Sequence, residues 1–264
     1  MKMTSPDLIV FDFDGVICDG LMEYFQTAWR AYCQLFTPNE PTDEAAQPPA
    51  GLAEQFYPLR PVIETGWEMP VLIQALVQGA SSAQIIEQWP QMALPYLAVA
   101  GLSKAQSVQA LDGVRDVWIQ QDLAGWLGLH RFYPGLIERL KELLALDLPV
   151  YIASTKEGRF IQALLAQSGL DFPTERILGK EVKRPKYETL RQLKAIYAVT
   201  HIWFIEDRLP ALVGVAEQDD LSDVQLFLAD WGYNLESDRA IAAQDPRIHL
   251  LSLEQIVQKF DQWF

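Results

Sequence analysis

Four short apolar runs constrain this chain more than any other feature. Residues 8–11 (LIVF), 149–153 (PVYIA), 201–205 (HIWFI) and 224–229 (VQLFLA) are dominated by aliphatic and aromatic side chains. Each has strand length and lacks a wet face, so each reads as a strand buried on both sides. Before, between and after the last three, residues 136–146, 159–167, 186–198, 209–218 and 253–260 read as helices, and 176–178 as a further short strand. Strands alternating with helices predict a parallel sheet covered on both faces. Right-handed crossovers then bring the strand C-terminal ends to one edge, where ligands of such sheets bind.

The run at 8–11 has the same character as the others, although a long stretch separates it from them. That stretch is helical in pattern over roughly 21–36, 52–57, 69–78, 82–93 and 103–121, with a turn-rich linker at 37–51 containing Pro38, Pro41, Pro48 and Pro49. The predicted fold is therefore α/β. A Rossmann-like parallel sheet with helices on both faces is formed by residues 1–19 and 133–264, and an α-helical domain is inserted over 20–132.

Composition narrows the function. Of 264 residues, 21 are Lys or Arg and 35 are Asp or Glu, for a net charge of −14. An acidic surface disfavours nucleic acid, whose phosphates need basic neutralisation. Half the residues are apolar, which argues against disorder. The two cysteines, Cys18 and Cys33, are too few for a disulfide scaffold and fit a reducing compartment. No apolar run approaches the roughly 18 residues of a membrane span. Asp12 arrives before a signal peptide's apolar region could form. The expectation is a cytoplasmic protein that binds neither membrane nor nucleic acid.

Each apolar run ends in polar residues with chemistry of their own. Asp12-Phe13-Asp14-Gly15 places two carboxylates where the first strand runs out. Such like charges repel unless a cation holds them, and Mg²⁺ accepts a few carboxylates while keeping several waters. A carboxylate facing a phosphate can also act as a nucleophile. Ala153-Ser154-Thr155-Lys156 puts hydroxyls and a helix start at the next strand end, which suits a phosphate. Ser154 and Glu157 also stand at the spacing of a helix capping box. The basic cluster Lys180, Lys183, Arg184 and Lys186 offers an ammonium to offset phosphoryl charge. Glu206-Asp207 could complete a metal site with Asp12 and Asp14, or Asp207 could simply cap the following helix.

Taken in order, these segments resemble the motifs of the haloacid dehalogenase-like (HAD) superfamily of phosphohydrolases. DFDGVICDG is similar to its first motif, ASTK to the second, RPKYETL to the third and FIEDR to the fourth. The resemblance implies Asp12 as nucleophile and Asp14 as general acid/base. It implies Ser154 and Thr155 at the phosphoryl group and Lys186 as the motif lysine, with Lys183 as the alternative. It implies Asp207 as Mg²⁺ ligand with Glu206 beside it, the metal also taking the backbone carbonyl of Asp14. The second aspartate, Asp14, marks phosphotransfer members rather than dehalogenases. The helical insert resembles the family's cap, and Asp230-Trp231-Gly232-Tyr233-Asn234 is similar to a stretch of phosphoglycolate phosphatase-like members. The second motif reads Ser-Thr-Lys where many of those read Thr-Asn-Lys. The implied activity is a Mg²⁺-dependent phosphatase acting on a small phosphorylated metabolite. A sugar-phosphate phosphomutase and a catalytically silent interaction module on the same fold are the alternatives. Arg60 and Glu64, in a turn bounded by Pro61 and Gly66, are the candidate specificity residues of the insert.

Overall fold

Residues Leu8–Phe11 form β1, a strand with every side chain buried. The computed structural model describes residues 5–37 and 47–264; linker residues Pro38 and Pro41 lie outside them. The chain divides into two compact units, one of residues 1–19 and 131–264, the other of residues 20–130.

In the first unit, β1 pairs in parallel with Val150–Ala153 (β4) on one side and Ile202–Glu206 (β6) on the other. Ile177–Leu178 (β5) extends the β4 side, and Gln225–Ala229 (β7) and Ile248–Leu251 (β8) extend the β6 side. The order is therefore β5-β4-β1-β6-β7-β8. Successive strands progress outward in both directions from β1, which places the change of direction beside β1, where ligands of such sheets bind.

Alternation along the strands explains how both faces are covered. Leu8, Val10, Ile202, Phe204, Leu226 and Leu228 pack in one core with residues of Lys186–Tyr197 (α9), Leu209–Ala216 (α10) and Glu236–Ala242 (α11). On the opposite side, Trp203 and Phe227 meet Trp263 with ring centroids 5.2 and 5.6 Å apart. The Arg139 guanidinium of Leu136–Ala145 (α7) lies over the Phe260 ring. These aromatics form a layer of core packing.

Several element boundaries differ from expectation. The closing helix is only Leu253–Ile256 (α12), followed by a separate 3-10 turn at Phe260–Gln262. Strand β8 and helix α11 are additional elements. The sequence of β8 lacks a clean apolar run because it is an edge strand with His249 and Leu250 partly exposed. Arg131–Phe132 (β3) is not helical insert but a short strand, antiparallel to Cys18–Asp19 (β2).

The second unit is helical. Leu21–Phe36 (α1) is followed by Leu52–Phe56 (α2), Glu68–Val77 (α3), Ser82–Val99 (α4), Lys104–Gln121 (α5) and Leu123–Leu127 (α6). Its interior contains a charge: Glu23 on α1 is fully buried and accepts hydrogen bonds from Thr27, Arg115 and Trp126. That network ties α1, α5 and α6 together, and a buried carboxylate needs such partners to remain in the core. No described helix is long and apolar enough to cross a membrane.

Candidate active site

Asp12 is the first residue beyond β1, and its N–H donates to the Ile205 carbonyl of β6. Its carboxylate is therefore fixed at the C-terminal edge of the sheet, between the two halves. Oδ1 accepts from the Phe13 N–H at 2.7 Å. Oδ2 pairs with Lys186 Nζ at 2.8 Å. Lys186 is the first residue of α9, and its ammonium also bonds Glu206 Oε2. Lys183, the alternative lysine, is exposed in a left-handed conformation at φ 51°. It is Lys186 that the fold brings onto Asp12.

Glu206 ends β6 and is fully buried, with its second oxygen accepting from the Arg208 N–H at 3.0 Å. Asp207 follows it, 1% exposed. Asp12, Glu206 and Asp207 each offer an oxygen within 4.8 Å of the others. Burial raises all three pKa values by penalising the charged form. Asp12 is pushed up to about 7, by burial and then by Glu206, against the opposing pull of Lys186. Asp207 is raised to about 6 by burial and by Asp12, opposed by the Tyr233 N–H. Glu206 is also raised by burial. For Lys186, burial acts to lower the pKa, but Asp12 and Glu206 outweigh it and the net shift is upward.

The donor set suits a hard cation. Three carboxylates converge, and Asp207 Oδ1 is buried with no hydrogen-bond partner among the described residues. Such an oxygen is an acceptor that a hard cation would satisfy. The possible helix-capping role of Asp207 is not what the fold uses. Arg208 occupies the cap position of α10, and Asp207 Oδ2 instead accepts from the Tyr233 N–H at 2.7 Å.

Asp14 points elsewhere. Its carboxylate lies outside the acidic group and pairs with Lys156 at 3.2 Å. Gly15 then turns the chain at φ +83°, a conformation that favours glycine. A Cβ there would also lie 2.6 Å from Asp207 Cγ.

Ser154 is buried at the end of β4, with its N–H bonded to the Leu178 carbonyl. Its hydroxyl accepts from the Lys156 N–H at 3.2 Å. It does not form the capping box suggested by its spacing to Glu157. The helix Gly158–Gln167 (α8) begins later, with Glu157 at its cap position and no side-chain cap. Nor is the first N–H of α8 open to a phosphate, because Gly158 N–H donates to Glu181 Oε1 at 2.8 Å. The adjacent Thr155 is exposed.

Arg60 and Glu64 belong to the helical unit. Arg60 lies in a 3-10 turn, Tyr57–Val62, where it bonds the Ile63 carbonyl and stacks 4.6 Å from the Tyr24 ring centroid. Glu64 is exposed, and its N–H and the Thr65 N–H both donate to Glu68 Oε2. Glu68, which the sequence did not single out, organises this turn and also accepts from Trp89. The pairing of Lys156 with Asp14 was equally hidden. Its only sequence signal was a lysine directly after the hydroxyl pair. Cys18 is buried, and burial pushes its thiol far up, so it is not a reactive thiolate.

A family model for haloacid dehalogenase-like hydrolases matches residues 6–213. The chain belongs to that family of hydrolase enzymes. No curated protein matches it in sequence. Among solved structures, it is similar to a haloacid dehalogenase-like family hydrolase from Streptococcus pneumoniae, at 18% identity, TM-score 0.56 and 95% coverage of each chain. A predicted phosphatase from Clostridium acetobutylicum shares 14% identity, with TM-score 0.58 and coverage of 96% of this chain and 97% of the other. A predicted phosphoglycolate phosphatase from Haemophilus somnus shares 14%, with TM-score 0.56 and 89% of each chain covered. These likenesses establish the fold.

Proposed function

We propose that the protein is a Mg²⁺-dependent phosphatase that hydrolyses a small phosphomonoester through an aspartyl-phosphate on Asp12. One observation carries this reading. The Asp12 carboxylate is pinned by Phe13 N–H and Lys186 next to Asp207, whose buried Oδ1 has no partner among the described residues.

In the first half-step an Asp12 oxygen attacks phosphorus, and the bond from phosphorus to the leaving oxygen breaks. Asp14 delivers a proton to that oxygen. In the second, Asp14 removes a proton from water as the water oxygen attacks phosphorus. The bond from phosphorus to Asp12 breaks, phosphate leaves, and both carboxyl groups return to their starting states. Lys186, bonded to Asp12, places a positive charge beside the transferring group. Lys156 holds the Asp14 carboxylate in position between the two half-steps. Ser154 and Thr155 supply hydroxyls to the phosphoryl oxygens. Asp12, Asp207 and the Asp14 carbonyl are the oxygens that would hold Mg²⁺, with Glu206 beside them, and the ion would neutralise charge between nucleophile and phosphate. The helical unit serves as the specificity-bearing cap.

The test is Asp12→Asn, assayed on p-nitrophenyl phosphate and on a panel of phosphate esters with Mg²⁺ or a chelator. Wild-type protein should turn over only with the metal, and the variant should fold but not turn over. An asparagine variant as active as wild type refutes the nucleophile assignment. Transfer of phosphate to a sugar instead of water would favour a phosphomutase. No turnover on any ester would favour a silent module. Within the cap, Arg60→Ala should raise the KM for the best substrate, and an unchanged KM removes Arg60 from the substrate site.

A further inference from the structure

The loop after β7 is tied to the acidic group and to the turn after Asp12 by several hydrogen bonds, and catalysis as proposed leaves it without a role. Its backbone and side chains engage Asp207 from several directions. Tyr233 N–H donates to Asp207 Oδ2 at 2.7 Å. Asn234 Nδ2 donates to the Asp207 carbonyl at 3.0 Å and to the Ala229 carbonyl at 2.8 Å. Arg208, next to Asp207, reaches back to the Tyr233 carbonyl at 3.1 Å.

The same loop grips the turn that follows Asp12. Trp231 Nε1 donates to the Val16 carbonyl at 3.1 Å, and the Tyr233 hydroxyl donates to Asp19 Oδ1 at 2.9 Å. Close packing unites the three segments. A Cβ on Gly232 would fall on the Asp207 side chain and lie 2.6 Å from the Gly15 carbonyl. A Cβ on Gly15 would lie 3.0 Å from the Tyr233 ring. Gly232 is thus a position where a glycine is required by close approach, at a normal backbone angle.

We infer that Gly232 and Tyr233 are positioning residues for a divalent cation at Asp207. They commit Oδ2 to a backbone N–H, leave Oδ1 for the cation, and fix the 13–19 turn at a set distance from Asp207. The physical basis is general: partners behind a metal ligand orient it, and their loss commonly weakens metal binding 10–100-fold. The inference rests on the proposed metal-dependent function, since it requires that the acidic group take a cation.

Calorimetric titration of Mg²⁺ into metal-free protein tests it without recourse to activity. Gly232→Ala should weaken Mg²⁺ binding about tenfold or more. Tyr233→Phe keeps the ring and the backbone donor but loses the bond to Asp19, and should weaken binding a few-fold. Asp19→Ala should weaken binding at least as much as Tyr233→Phe, and adding Tyr233→Phe to Asp19→Ala should cost nothing further. Asp19→Asn retains an acceptor oxygen and should bind as wild type does. In each weakened variant, more Mg²⁺ is required for half-maximal turnover while the plateau is preserved.

If wild-type protein takes up no Mg²⁺, the functional reading itself fails. If wild type binds and both Tyr233→Phe and Asp19→Ala bind equally well, the positioning role is overturned while the metal site stands. A lowered melting temperature with unchanged affinity also overturns it, since that is what a merely structural loop would give. Should Gly232→Ala not fold, the Tyr233 and Asp19 variants decide the matter.

Discussion

Lys186→Met isolates the electrostatics of the site from its shape. Methionine fills similar volume but removes an ammonium bonded to Asp12 Oδ2 at 2.8 Å and to Glu206. The Lys186 side chain is 17% exposed and that of Glu206 fully buried, so water replaces little of the lost charge. Removing one partner from a buried pair costs about 3–5 kcal/mol. For a domain of this size that corresponds to a fall in Tm of roughly 6–20 °C. The loss depends on pH. Asp12, Asp207 and Glu206 have raised pKa values in the folded metal-free protein. Groups raised in this way favour the folded state below the unfolded carboxylate range and lose that contribution as pH climbs through their folded values, about 6 to 7 for Asp207 and Asp12. Lys186 opposes the rise at Asp12 and Glu206, and its own positive charge persists well above this window. The variant should therefore resemble wild type near pH 5, where Asp12 and Asp207 are protonated, and fall furthest behind near pH 8. Thermal unfolding of chelator-treated protein at the two pH values, followed by circular dichroism, measures the difference. A deficit equal at both pH values, or absent at pH 8, would show that Lys186 does not neutralise these carboxylates.

Two further outcomes follow from the same physical terms. Metal-free wild-type protein should lose stability as pH rises from about 5 to about 8, and the Tm increase on adding Mg²⁺ should grow over that interval; differential scanning fluorimetry with and without Mg²⁺ reads both. In the helical unit, Arg115→Met should leave the buried Glu23 carboxylate without its cation and cost about 3–5 kcal/mol in denaturant unfolding. A change below about 1 kcal/mol would mean that Thr27 and Trp126 alone satisfy Glu23.

Local chemistry was legible in the sequence wherever it coincided with a strand end. Strand β1 and the acids after it, β4 with Ser154, and β6 with Glu206 and Asp207 each announce themselves through an apolar run that stops at polar residues. Buried parallel strands have no wet face, so their composition alone marks them. The edge strand β8 and the polar helix α11 lack that mark and required the assembled sheet.

What the sequence by itself determined was the class of fold, the run of motif residues and the acidic identity of the site. Only the tertiary structure decided which groups meet. Lys186 rather than Lys183 reaches Asp12 because the chain turns left-handed at Lys183 and then begins α9. Lys156 reaches Asp14 because β4 lies beside β1. Asp207 is committed to Tyr233, not to a helix cap, because β6 and β7 are neighbours whose ends open side by side. These partners are separated by many residues along the chain, and contacts of that kind are set by strand order and register, which no local pattern encodes.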